Sequence, residues 1–186
     1  MSAEALKTKR FETAILPHLN AAYNLARWLV RSDQDAQDMV QEAFLRAYKF
    51  FDGFKGGDAR AWLLAIVRNT SYSHLEKNRA HAQLLTWDED FEGLQAQSSV
   101  TLLDQADNNP EAILAKVDDQ RFFRLALEQL PLEFRETLVL RELENLSYKE
   151  ISLVAGIPIG TVMSRLARAR KLFLECLMRL QSGALK

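Results

Sequence analysis

SYKEISLVAGIPIGTVMSRLARARK, Ser147 to Lys171, is the stretch whose reading decides the fold of this chain. Ser147 is placed to cap a helix, and Glu150 three residues later completes a capping box. Ile151, Val154 and Ala155 give that short helix an apolar side. Gly156 can adopt the left-handed backbone that ends it, and Pro158 suits the first turn of the next helix. In the second helix Val162, Leu166, Ala169, Phe173 and Leu177 recur at steps of three or four and predict one buried stripe. Thr161, Ser164, Arg165, Arg168 and Lys171 fall on other faces, and from Thr161 to Lys171 there are four basic and no acidic side chains. Hydroxyls near the start of a helix and arginines along its outer side suit a major groove, so the pair reads as a DNA-binding helix-turn-helix. On spacing alone a solvated basic face is the competing reading, and the rest of the chain has to decide.

Composition narrows the choice. With 186 residues the chain is long enough for one domain or two small ones, and 48% hydrophobic content supplies packed cores. No apolar run approaches the ~20 residues of a membrane span, and MSAEALKTKRFE lacks the apolar run of a secretory signal, so no direct membrane insertion is expected. The single cysteine, Cys176, excludes an internal disulfide and a metal site built on several cysteines, which suits a cytoplasmic protein. Cys176 lies among Leu174, Leu177 and Leu180 in a helical pattern and reads as packing.

The net charge of -1 conceals a strong asymmetry. Between Asp88 and Asp119 nine acids face Lys116 alone, and the remainder of the chain holds 23 basic against 16 acidic residues. Such asymmetry points to a polyanionic partner better than the total does.

The pattern along the chain is all-α, two small helical domains joined by a flexible acidic linker, with the helix-turn-helix in the second. Expected boundaries are 1–87, 88–119 and 120–186. Candidate helices cover Phe11–Arg31, Asp35–Phe50, Ala59–Arg79, Glu111–Leu130 and Pro131–Glu144, ahead of the two described above. Prolines 110 and 131 suit first-turn positions. No strand alternation persists and no internal repeat is visible. Modules of this size have modest cores, so a larger partner is expected to fix their relative placement.

In DAQDMVQEAFLRAYKFF, Met39, Val40, Ala43, Phe44 and Ala47 can face a core. Asp35, Asp38, Gln41, Glu42, Arg46 and Lys49 stay outside, acidic first and basic last, as the helix dipole favours. That face is either ordinary solvated surface or a charged docking surface. FFDGFKGGDARAWLLAIVRNTSYSHLEKNR then interleaves Phe50, Phe51, Phe54, Trp62 and Tyr72 with Lys55, Arg60, Arg68, Lys77 and Arg79 around a glycine-rich loop. Aromatic and cationic side chains about such a loop suit single-stranded DNA. Trp62, on helical spacing with Leu63, Ile66 and Val67, reads as core; Phe50 and Phe51 are open to either role. Asn69, Ser71 and Ser73 can meet base edges or water.

Two segments in this order, Asp35–Leu75 and Leu127–Phe173, carry a resemblance. They are similar to the second and fourth regions of bacterial sigma factors of the extracytoplasmic-function class, with that family's linker between them. The long third region of housekeeping sigma factors has no counterpart, which assigns the small class. The resemblance implies a protein that binds RNA polymerase core, directs it to particular promoters and helps to melt them, for a stress or envelope-response regulon. It implies that Asp35, Asp38, Gln41, Glu42 and Arg46 meet the clamp coiled coil of the large polymerase subunit. It places the loop Gly53–Asp58 and the following helix, with Lys55, Asp58, Arg60 and Asn69, on the −10 element, where a nontemplate base leaves the stack. Thr161, Ser164, Arg165 and Arg168 fall on the −35 element, with Ser147, Tyr148, Lys149, Arg170 and Lys171 nearer phosphates. Met163 stands where members carry a basic residue. The acidic linker is expected to thread the positively charged channels of the polymerase. An anti-sigma factor is the implied regulator.

No catalytic constellation is evident, since His18, His74 and His81 are scattered and no nucleotide-binding glycine loop leaves a strand. No enzyme activity, small-molecule substrate, cofactor or metal is expected. Two rivals remain: a stand-alone repressor or activator using the same helix-turn-helix, and a sigma-like interaction module with a silent DNA surface. A stand-alone regulator predicts tight duplex binding without polymerase, but no zipper or ligand domain is visible. Intact Asn69, Arg165 and Arg168 speak against the silent module.

Overall fold

The computed structural model describes residues 2–85 and 110–184. Among them every regular element is helical. The first module holds α1 (Ala3–Ile15), α2 (Leu19–Val30), α3 (Asp33–Phe50) and α4 (Ala59–Leu85). The second holds α5 (Pro110–Gln129), α6 (Leu132–Leu138), a π-helical turn Val139–Leu143, α7 (Tyr148–Ala155) and α8 (Ile159–Ala184). Residues 86–109, most of the expected acidic linker, lie outside the described residues. Helix α5 begins inside the linker stretch and crosses the boundary drawn at residue 119.

One helix expected over Phe11–Arg31 is two. Pro17 lacks an N–H and stands within a single 3-10 turn, Leu16–His18, that separates α1 from α2. Helix α1 also begins eight positions earlier than the apolar pattern suggested: Ser2 accepts from Ala5 N at 3.2 Å and caps it. Helix α2 ends on Arg31, which takes the left-handed conformation at φ 64° that glycine more often supplies. Pro110 opens α5 as expected, whereas Pro131 and Pro158 sit one residue before α6 and α8, where their carbonyls accept the first helical hydrogen bonds.

In the first module Ala22, Leu25, Ala26 and Leu29 of α2 pack with Ala36, Val40, Ala43 and Ala47 of α3 and Leu63, Leu64 and Val67 of α4. The α3 face chosen from sequence is the buried one, with Met39 and Phe44 partly buried beside it. Small alanines let α2, α3 and α4 approach closely. In the second module Leu127, Leu130, Leu138, Leu140, Leu146, Ile151 and Val154 close over Val162, Leu166 and Ala169 of α8. The predicted stripe is therefore core through Ala169, and Phe173 is partly buried against the Phe123 ring, centroids 5.1 Å apart. Cys176 is buried, as read.

The modules do not stand apart. Helix α4 lies along α7, and α2 lies along α6, so the buried residues of both form one continuous cluster. Among the described residues no single helix is long and apolar enough to cross a membrane.

Candidate nucleic-acid interface

Local chemistry builds the helix-turn-helix. The Ser147 side chain accepts from Glu150 N at 3.3 Å, and Glu150 Oε2 accepts from Ser147 N at 2.6 Å, so the capping box is complete. These bonds, from the Ser147 hydroxyl and its N–H, hold the Glu150 carboxyl below its ordinary pKa. Gly156, at φ 66°, closes α7 in the left-handed region. Helix α8 leaves at 100° to α7, within the range of DNA-reading helix pairs.

On α8, Thr161, Ser164, Arg165 and Arg168 are spaced three, four and seven residues from the first, which places them on one stripe beside the buried one. Ser164 and Arg168 are exposed, and Thr161 and Arg165 are half-buried. Ser164 donates back to the Thr161 carbonyl at 3.1 Å, leaving its oxygen's acceptor capacity outward. Arg165 reaches Glu133 only at 3.8 Å. Arg168, Lys149 and Lys171 are exposed, with no ion pair among the described residues. Arg170 differs: it donates to Glu142 at 2.7 and 3.1 Å, bonds that raise its pKa further. A phosphate has to compete with Glu142 for it. Tyr148 is likewise engaged, its ring under the Arg141 guanidinium at 5.2 Å. Met163 is 54% exposed, an apolar side chain on the outer surface of α8.

On the first module, Gly56 and Gly57 take φ of 88° and 103°, so the loop before α4 makes a turn that side chains with a Cβ resist. Asp58 then caps α4 by accepting from Ala61 N at 2.9 Å. Phe51 is buried, with Phe54 stacked on it at 6.0 Å and Trp62 at 5.0 Å from Phe54, so these rings form the floor of the loop. Trp62 is half-buried core, as read; Phe50 is 60% exposed beneath Lys49. Lys55 and Asn69 are exposed.

A cleft of about 740 Å³ opens beside this loop, bordered by Lys9 and Arg10 of α1 and by Phe51, Phe54, Lys55 and Gly56. Lys9 and Arg10 were missed because the apolar pattern was taken to start at Phe11; the cationic KTKR immediately before it was the available signal. Two residues assigned to the same surface are engaged: Arg60 donates to Glu144 Oε2 at 2.6 Å, and the Asp58 carboxylate is taken up in capping α4.

The α3 face expected to dock is solvent-facing. Asp38, Gln41 and Arg46 are exposed, Glu42 pairs with Arg46 at 2.7 Å, and Asp35 is half-buried with His74 at 3.8 Å. Exposed Leu45 and Phe50 add apolar surface alongside.

Residues 14–81 match the family described as Sigma-70 region 2, and residues 123–173 match Sigma-70, region 4. The chain is 32% identical over 165 residues to the RNA polymerase sigma-H factor of Pseudomonas aeruginosa, covering 88% of this chain and 83% of that one. It is 33% identical over 168 residues to the ECF RNA polymerase sigma-E factor of Escherichia coli K12, covering 88% and 84%. Among solved structures, the sigma factor RpoE of Bartonella quintana, in complex with the anti-sigma factor NepR, superposes with a TM-score of 0.74 at 26% identity. That match covers 91% of this chain and 98% of the other.

Proposed function

This chain belongs to the extracytoplasmic-function sigma factors of RNA polymerase: it binds the polymerase core and directs promoter-specific initiation, and we propose that it does so by splitting the task between its modules. The first module docks through Asp35, Asp38, Gln41, Glu42 and Arg46 on the clamp coiled coil of the large subunit. Its loop and α4 take the melted −10 strand with Lys55, Asp58, Arg60 and Asn69, and Lys9 and Arg10 extend that cationic surface across the adjoining cleft. An unstacked base is a reasonable occupant of a cleft floored by Phe51 and Phe54, at an unstacking cost of a few kcal/mol.

The second module reads the −35 duplex with Thr161, Ser164, Arg165 and Arg168, while Ser147, Tyr148, Lys149, Arg170 and Lys171 approach phosphates. Arginine on guanine and hydroxyls on either edge are the pairings this stripe supports. The capped backbone at Ser147 can also present N–H dipoles to phosphate. We assign this division the limits 1–87, 88–119 and 120–186, with α5 beginning inside the linker stretch. The acidic linker crosses the polymerase as a nucleic-acid mimic, the polymerase performs all the chemistry, and the chain works in the cytoplasm alongside it.

An anti-sigma protein is the regulator we assign, supported by the Bartonella relative, whose structure holds one. The observation that carries the whole reading is the co-occurrence of both regions, in order, in one chain. Run-off transcription with purified core polymerase tests it. Core plus this chain should start transcripts at discrete sites that core alone does not use, and indistinguishable products would overturn the reading.

A further inference from the structure

The outer surface of α8 is not uniform. Val162, Leu166 and Ala169 are buried, and at about 3.6 residues per turn the line on the far side of the helix runs through Gly160, Ser164, Ala167 and Lys171. All four are exposed, and nothing lies within 4 Å of where a Cβ would stand at Gly160. Short side chains at the start of this ridge let the helix backbone come close to whatever it faces. One flank of the ridge is polar and cationic, formed by Thr161, Arg165 and Arg168. The other is apolar: Ile159 and Met163, a turn apart, are 45% and 54% exposed, and Ala167 follows one turn on.

Single apolar side chains on a surface are ordinary, but the setting of this pair is not. Arg168 and Lys171 stand on the same outer surface with no ion pair among the described residues, and no acid occurs from Thr161 to Lys171. An apolar protein surface laid here would leave those cations unmatched. A duplex matches them with phosphates along the groove rims and presents base edges on the floor. In the major groove the apolar group on that floor is the C5 methyl of thymine. Methionine donates no hydrogen bond and its thioether accepts only weakly, so it gains little from guanine, cytosine or phosphate. Its unbranched, polarizable side chain adapts readily to a protruding methyl.

We propose that Met163 determines specificity at one base pair: it packs on the C5 methyl of a thymine in the −35 element, with Ile159 beside it excluding water. The inference rests on the assignment of α8 to the −35 duplex and adds to it the identity of a pair that the arginines do not read. Arg165 and Arg168 on one flank suit guanine, and Met163 on the other suits an A·T pair, so a single helix asks for different bases on its two sides.

The test uses reconstituted holoenzyme and a promoter whose start site this chain selects. Each −35 thymine, on either strand, is replaced singly by deoxyuridine, which removes the methyl and leaves every hydrogen-bonding edge as it was. Wild type should bind one such duplex, or two neighbouring ones, about fourfold more weakly, the value of one buried methyl. Met163→Ala should bind the unmodified promoter more weakly by the same factor and be indifferent to deoxyuridine at that position, the two losses failing to add. Met163→Leu should restore the sensitivity. Since Met163 is exposed, these variants should keep the wild-type melting temperature and association with core. Wild-type indifference to every deoxyuridine would overturn the proposal, as would an unchanged sensitivity in Met163→Ala. Weakened core association in Met163→Ala would make the patch a protein contact and overturn it too. Arg165→Ala on the same duplexes separates this from the functional reading. If that variant binds weakly while no deoxyuridine matters, only the Met163 assignment falls; if neither change matters, α8 is not the reader.

Discussion

Helices α4 and α8 both carry arginines that suit nucleic acid, but they hold them differently. On α8 the stripe we assign to duplex reading is open to solvent, with Arg168 exposed and Arg165 only loosely opposed by Glu133. On α4, Arg60 and Arg68 are each held by a glutamate of the other module, 84 and 68 residues away in sequence. One surface is presented and the other is covered. A cation count along the chain sees both alike, because a partner so distant leaves no periodic trace.

The difference can be broken at the core, at the docking face, at the reading face and at the cap. Leu166 is 1% exposed beneath the α8 stripe, and Leu166→Ala should destabilise the second module by about 2–5 kcal/mol, read by denaturant melting. Asp38→Arg with Glu42→Arg turns an attractive docking face repulsive and should cost several kcal/mol of core association. Undiminished co-elution with core would remove the α3 assignment. Arg165→Ala or Arg168→Ala should each weaken promoter binding by about 1–3 kcal/mol while core binding stays unchanged. Four basic side chains along α8 also imply a logarithmic salt slope of roughly −4 for duplex binding, whereas a flat response argues against groove contact.

The smallest effect concerns the cap. Ser147→Ala should cost about 1 kcal/mol of stability at neutral pH. Glu150 has its folded pKa depressed by the bonds from Ser147, so its contribution is present above the ordinary carboxylate range and is lost as pH falls through the lower folded value. Acid titration of the melting temperature should therefore show a steeper fall below about pH 4.5 in wild type than in Glu150→Gln, and parallel curves would contradict the capping role.

Much of this was legible in the residues. The capping box, Gly156 and the apolar stripe of α8 are short-range features whose physics acts within a turn or two, and each appears where the sequence put it. The buried face of α3 was equally plain, since Val40, Ala43 and Ala47 follow the helical period. Failures came where context governs. Pro17 split a helix whose apolar spacing ran straight through it, and α1 was overlooked because its first turns carry little apolar signal. Above all, the closure of the modules through Glu136 and Glu144 could not be foreseen. Glu136 sits in α6 and Glu144 just past the π-helical turn, in a stretch of ordinary mixed charge, and only the fold shows what they face. The surface we assign to the −10 strand was legible as a composition, aromatic and cationic around glycines, but not as a cleft completed by Lys9 and Arg10.

Division of labour between the two surfaces is tested most directly by footprinting the reconstituted holoenzyme on a promoter whose start site this chain selects. Wild type should protect the −35 and −10 regions together. Thr161→Ala with Arg168→Ala should lose the upstream protection first, and Lys55→Ala with Asn69→Ala should lose the downstream opening while the upstream contact remains. Equal loss of both regions in both variants, or no change in either, would contradict the account.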